Sequence, residues 1–301
     1  MAAALERCSA VPAATARTLL VVESIGPLVP RSPFEGRVHS VFAQACNLAC
    51  GDTLLSVSAF GVGNGPTTFR LGRGAASDLR EHFAAGERID ARRGSLRTRR
   101  VELALARSRV WHPAAPGPSL PSARIEAHLH HARLRLSARR AMRPDVLDGA
   151  AAPVLAALGA ACRALDLTSA LRHADRLIGW GEGLTPAGDD FLVGLIVGLD
   201  ALARGDEERR RFQGALAAAV TARTQRTTVL AAHCLRLACA GHHAEPLVEL
   251  RNALLCADDD GAVEAALHRA LAAGATSGAD TASGLLAGLS AWLPPPIAAE
   301  G

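Results

Sequence analysis

One stretch of this sequence concentrates residue types that can do chemistry together: Gly179-Trp-Gly-Glu-Gly-Leu-Thr-Pro-Ala-Gly-Asp-Asp190. Gly179, Gly181 and Gly183 make a glycine-rich loop ahead of an apolar run. Thr185–Pro186 reads as a helix N-cap followed by proline in the first helical position. The first N–H groups of a helix have no partner within it, and the macrodipole adds ~0.3–1 kcal/mol for an anion placed there. A phosphate or carboxylate is therefore the expected ligand. Gly188 is expected in the first turn, where glycine costs about 1 kcal/mol relative to alanine, so a close neighbour is expected against that backbone. The plainer alternative is a capped helix after a tight turn. Glu182 opposes an anion there unless it points outward or pairs with an arginine.

The motif recurs in outline. Gly188-x-Asp190-x-x-x-Gly194-Leu-x-x-Gly198-Leu199 is matched by Gly278-x-Asp280-x-x-x-Gly284-Leu-x-x-Gly288-Leu289. In each copy the aspartate and the last two glycines share one helical stripe. The expectation is that two helices cross along these stripes and bring Asp190 and Asp280 together. Two adjacent carboxylates would perturb each other, giving a raised-pKa base or a place for a divalent metal. Asp189, about 100° around the helix, reads as a cap. Between the copies, Thr224-Gln-Arg-Thr-Thr228 offers Arg226 and neighbouring hydroxyls for an anion site, or an ordinary helix start with an exposed arginine.

Composition narrows the chemistry. The chain has 301 residues, enough for two domains, with 49% hydrophobic and 21% charged residues. All 33 basic residues are arginine and tyrosine is absent. A lysine Schiff base with pyridoxal phosphate and a P-loop lysine are both excluded. Anion binding must rest on arginine, amides and helix ends. The formal charge of +4 suits a small anion. Seven cysteines in a large chain read as free thiols, and no other cofactor is identified. No apolar run is long enough for a membrane span, and the start, with Glu6 and Arg7, does not read as a secretory signal. The expected location is the cytoplasm.

The elements that must position these residues fall into two groups. Short β-branched or alternating runs at Thr18–Ser24, Arg37–Ala45, Asp52–Ser58, Thr67–Leu71 and Leu96–Val110, with a glycine loop at 61–66, predict an antiparallel barrel or sandwich. Four prolines between 112 and 122 mark a linker. Segment 123–140 fits neither period. Helices are expected at 145–165, 168–178, 188–204, 206–222, 225–240, 245–257, 260–273 and 279–292. The fold class is α+β: a β-rich domain over 1–122 and a mainly α-helical domain over 123–301.

The Gly-x-Gly-x-Gly-Leu-Thr-Pro-x-Gly-Asp-Asp signature at 179–190 resembles the AllH-like family, named for a subunit of oxamate carbamoyltransferase in allantoin breakdown. Thr227-Thr-x-Leu230, Ser277-Gly-x-Asp280 and Gly36-Arg-Val-His-Ser-Val-Phe42 with Asn47 resemble family patterns too, so the likeness spans about 36–290. It implies transfer of a carbamoyl group between oxalurate and phosphate, with oxamate and carbamoyl phosphate as products, in company with partner subunits. It also implies that Gly181, Gly183, Thr185, Gly188, Asp189 and Asp190 line the site and that Thr227, Thr228, Gly278 and Asp280 support it. Ala187 and Glu182 depart from the pattern, where serine and a small residue or proline are expected.

Other constellations are weaker. His233-Cys234, Cys239 and His242-His243 lack zinc-knuckle spacing. Eight arginines lie between Arg88 and Arg109, but Trp111 is the only aromatic near them, so nucleic acid is not the expected partner. The expected function is a carbamoyltransferase-type subunit in which the amides of 179–188 and Arg226 hold the anion and Asp190, with Asp280, serves as base or orienting group. The alternative is a non-catalytic subunit that binds a small anion or acts as a scaffold.

Overall fold

The computed structural model describes residues 17–141, 147 and 149–293. Residues 145, 146 and 148 of the helix expected over 145–165, and the segment read for a secretory signal, lie outside the described residues.

Among the described residues nine strands come first: β1 Thr18–Ile25, β2 Phe34–Val41, β3 Ala45–Cys50, β4 Thr53–Ser58, β5 Thr68–Leu71, β6 Arg88–Arg92, β7 Ser95–Arg97, β8 Val101–Ala104 and β9 Arg109–Val110. Eight of them hydrogen-bond in the order β5-β4-β3-β2-β6-β7-β8-β1, and β1 also pairs with β5, which closes an eight-strand barrel; β9 adds to β1. Closure removes free edges. Most pairings are antiparallel, but β4–β5, β1–β8 and β1–β9 are parallel. Alternation fills the interior: Leu20, Val22, Leu48, Phe69, Leu96 and Leu103 point inward, while Leu19 and Val21 point out.

Two differences from the expected strands have local causes. Arg37–Ala45 is not one strand, because the chain reverses after Val41, with Phe42 N donating to Ala45 O (2.7 Å). Nothing in Phe42-Ala-Gln-Ala45 carries a glycine or proline turn signal. The run Leu96–Val110 is three strands, broken first where Thr98 Oγ1 accepts from Arg100 N and Val101 N. Four of the arginines of this region are ion-paired on the barrel surface, Arg88 with Glu35, Arg92 with Asp90, Arg97 with Glu102 and Arg109 with Glu23.

Nine helices follow among the described residues: α1 Ser122–Ala141, α2 Ala152–Arg163, α3 Leu167–Leu177, α4 Ala187–Ala203, α5 Glu207–Thr221, α6 Val229–Cys239, α7 Glu245–Cys256, α8 Asp260–Leu271 and α9 Ser277–Trp292. None is long and apolar enough to cross a membrane. In α1 the exposed Leu134 obscures the helical period; the buried stripe is Ile125, Leu129, Ala132 and Leu136. α4 and α9 are buried on nearly every side and form the centre of the helical part. Barrel and helices meet through polar contacts. Asn64 N and Nδ2 both donate to Glu245 Oε2 (2.8 Å each), Glu245 N donates to Asn64 O (2.9 Å), and Thr67 Oγ1 lies 3.1 Å from His233 Nε2. The proline-rich segment has no regular structure and is tied to α7 by Leu120 N donating to Leu255 O (2.8 Å).

Candidate functional site

α4 and α9 pack through their glycines. A Cβ on Gly198 would lie 2.9 Å from Gly288 Cα, and one on Gly288 would lie 3.0 Å from Gly198 Cα. Higher up, a Cβ on Gly194 would overlap Thr281 O and one on Gly284 would overlap Phe191 O. Residue numbers rise together along both helices, so the two run the same way and their N-termini lie at the same end. Asp190 and Asp280, each in the fourth position of its helix, share that end.

The two helix starts are built alike. In α4, Pro186 O accepts from Asp189 N (3.0 Å) and Asp190 N (3.2 Å); in α9, Thr276 O accepts from Ala279 N (2.8 Å) and Asp280 N (3.1 Å). Gly188 and Gly278 stand second in their helices. A Cβ on either would collide with a carbonyl at the end of the preceding helix, Leu177 O for Gly188 and Ala270 O for Gly278. This corrects the reading of Gly188 as a place for a ligand: the neighbour is the protein's own backbone. Its N–H is also taken, donating to Trp180 O (2.8 Å).

The cap is corrected as well. Pro186, not Thr185, is the N-cap, and no side chain caps α4. Thr185 Oγ1 instead lies 2.7 Å from Ser277 Oγ, linking the two helix starts. Asp189 is buried with both oxygens engaged: Oδ1 accepts from Gly179 N (3.0 Å) and Oδ2 from the Thr227 hydroxyl. It is a clamp between the glycine loop and the segment before α6. Burial raises its pKa, and the Thr227 and Gly179 hydrogen bonds oppose that. Thr228 caps α6, accepting from Ala231 N (3.1 Å), while its hydroxyl donates to Leu184 O. Arg226 does not face the helix start. Its guanidinium pairs with Asp175, as does that of Arg223 (3.0 Å).

What remains open is the loop itself. Gly179, Gly181 and Gly183 all have positive φ (76°, 108° and 89°), a conformation that L side chains rarely adopt. The amides of Gly181 to Thr185 donate to no acceptor among the described residues, and residues 182–184 are exposed. A chain curled by alternating left-handed residues is the kind from which anion nests are made.

Asp190 is the most perturbed group beside this loop. Burial, the negative charge of Asp280 and that of Asp189 push its carboxyl up to about 8, against the pull of the Ser277 and Thr185 hydroxyls. Its Oδ2 is buried with no hydrogen-bond partner. Asp280 is fully buried, with Arg140 Nη2 3.9 Å from its Oδ1. Near neutral pH Asp190 is thus largely a neutral acid able to give a proton. The Cys234 thiol is pushed up to about 12 by burial and by the charges of Asp190 and Asp189, so it stays protonated. Two carboxylates and two hydroxyls are a hard-oxygen set of the type divalent cations accept. Among the described residues no group of three or more His, Cys, Asp or Glu converges to hold a metal.

Sequence reasoning assigns no separate role to Ser277 or Arg140. Ser277 is visible as the residue before the second Gly-x-Asp. Arg140 carries no local signal, because only the packing of α1 on α9 brings it in.

Residues 177–289 match the family model described as oxamate carbamoyltransferase subunit AllH, and residues 18–110 match that of the AllH family N-terminal domain. The chain matches no curated protein and no solved structure.

Proposed function

Because the chain belongs to the AllH family, we propose that it serves as a subunit of a carbamoyltransferase complex that moves a carbamoyl group between oxalurate and phosphate. The observation that carries this reading is Asp190: a buried carboxyl held protonated near neutrality, beside a second aspartate and two hydroxyls, next to a loop of unpaired amides. In the step we propose, a phosphate oxygen attacks the carbamoyl carbon of oxalurate and the bond from that carbon to the oxamate nitrogen breaks. The phosphate loses one proton and the departing nitrogen gains one. Two carboxyls coupled through their charges, one protonated and one ionised, are suited to both transfers, Asp280 accepting and Asp190 donating. The amides of Gly181 to Thr185 would orient the anionic end of the substrate. The reading places the chain in allantoin breakdown in the cytoplasm.

A second reading has its own support. Asp190 and Asp280 are both buried, and Asp189 is committed to the protein. Such burial favours a subunit that binds an anion at the loop, or holds partners together, without supplying the proton donor.

The deciding experiment is Asp190→Asn within the assembled complex. Retained assembly with a fall in kcat of ~10²-fold or more is the expected result for a proton donor. Unchanged turnover would leave only the scaffold reading. If Asp190 donates the proton, activity declines as pH rises through about 8.

A further inference from the structure

A second place on the molecule has the chemistry of a binding site. A groove of about 370 Å³ opens between α1, α2 and α9. Its apolar part is Leu155, Ala156, Leu286 and Ala287; its charged part is Arg133 and Arg140 from α1 and Arg163 from α2. Among the described residues no carboxylate lines it.

The arginines of α1 are held by hydroxyls. Ser283 Oγ donates its proton back to Ala279 O (2.7 Å) and Ser290 Oγ to Leu286 O (2.6 Å). Each hydroxyl thereby turns lone pairs outward, where Ser283 accepts from Arg140 Nη2 (2.9 Å) and Ser290 from Arg133 Nη2. A neutral acceptor fixes a guanidinium without cancelling its charge. Arg140 shares its charge with Asp280 (3.9 Å). Arg133 and Arg163 have no ion pair among the described residues; burial pulls the Arg133 pKa down, against the opposing charge of Glu126. Two cations on opposite banks, one pre-oriented, call for a ligand with two negative charges close together. The apolar floor calls for a short carbon body behind them.

We propose that this groove binds a small organic phosphate, its phosphoryl group between Arg133 and Arg163 and its apolar part against Leu155, Ala156 and Leu286. The groove borders Asp280 through Arg140, but the phosphoryl position between Arg133 and Arg163 uses neither the glycine loop nor Asp190, so binding here does not depend on whether Asp190 takes part in catalysis.

The test is calorimetric titration of the full chain at low salt with phenyl phosphate, inorganic phosphate and succinate. Phenyl phosphate should bind about tenfold more tightly than inorganic phosphate through its added apolar contact. Arg163→Ala and Arg133→Ala should each weaken it by ~10-fold or more. Ala156 is exposed, so Ala156→Glu keeps the fold and all three arginines while placing a carboxylate in the groove; it should abolish binding. Melting temperature and circular dichroism confirm that each variant is folded. Absence of phenyl phosphate binding, affinity unchanged in Ala156→Glu, or preference for succinate would each overturn the proposal.

Discussion

Gly194 and Gly284 are counterparts across the α4–α9 contact: each faces the carbonyl that lies three residues before the other. The same exchange links Gly198 and Gly288. The pair thus behaves as two copies of one element turned about a local twofold axis. That symmetry puts Asp190 and Asp280 at the same end, near enough for the charge of Asp280 to act on Asp190, and it makes specific outcomes expected.

A side chain at either upper glycine cannot be absorbed by a flexible neighbour, because the obstruction is backbone. Gly194→Ala and Gly284→Ala should each destabilise the fold by ~1–3 kcal/mol or more. Gly214 in α5 has nothing within 4 Å of the position a Cβ would take, so Gly214→Ala should instead stabilise by about 0.5–1 kcal/mol. Urea unfolding of the three variants measures the contrast. Equal tolerance at all three positions would refute the close packing.

The Asp190 carboxyl gives a pH signature. Its pKa is raised on folding, from 3.8 to about 8, so the folded state binds more protons across that window. Stability from this group is complete below about 4 and is lost progressively as pH rises toward about 8, at up to ~1.4 kcal/mol per unit. The amide introduced by Asp190→Asn cannot ionise. The stability of the wild type relative to that variant should therefore fall between about pH 4 and 8 and level off above. A difference that stays flat with pH would show that Asp190 titrates normally.

Asp189 is expected to act on structure. Asp189→Ala leaves the Gly179 N–H and the Thr227 hydroxyl without their acceptor, at a cost of ~1–3 kcal/mol. A double-mutant cycle with Thr227→Val should give a coupling energy of ~0.5–3 kcal/mol. Additive losses would mean that the clamp contributes nothing.

Glu245 joins the barrel to the helices through one carboxylate oxygen that accepts twice from Asn64. Removing it in Glu245→Ala should cost ~1.5–3 kcal/mol. The Asn64 amide should then exchange its hydrogen faster, as read by mass spectrometry. Unchanged exchange there would place the junction elsewhere.

Much of this was legible in the sequence. The two Gly-x-Asp copies are strong periodic patterns, and the helices they predict form within a few residues of the expected bounds. The purposes of single residues were harder to read. Gly188 signals a close approach without saying whether a ligand or Leu177 O makes it. Thr185 has the chemistry of a cap but bonds to Ser277, 92 residues away. Arg226 looked free for an anion, since its partner Asp175 lies on α3 and no local spacing connects them. Strand β6 gives little signal in the sequence because Ile89 and Ala91 are its only buried residues, set among arginines. The parallel pairings of β1 with β8 and β9 join strands far apart in the chain, so turn chemistry cannot announce them.

Strand β1 carries a kinetic consequence. Thr18 pairs in register with Val101, and Ile25 with Val110. The first strand made must therefore wait for some eighty further residues before the cylinder can shut. Such distant pairing slows folding because loop entropy is lost before the contacts that offset it can form. Until then the inward Leu20 and Val22 lack cover, and a growing chain would have most need of a chaperone during that interval.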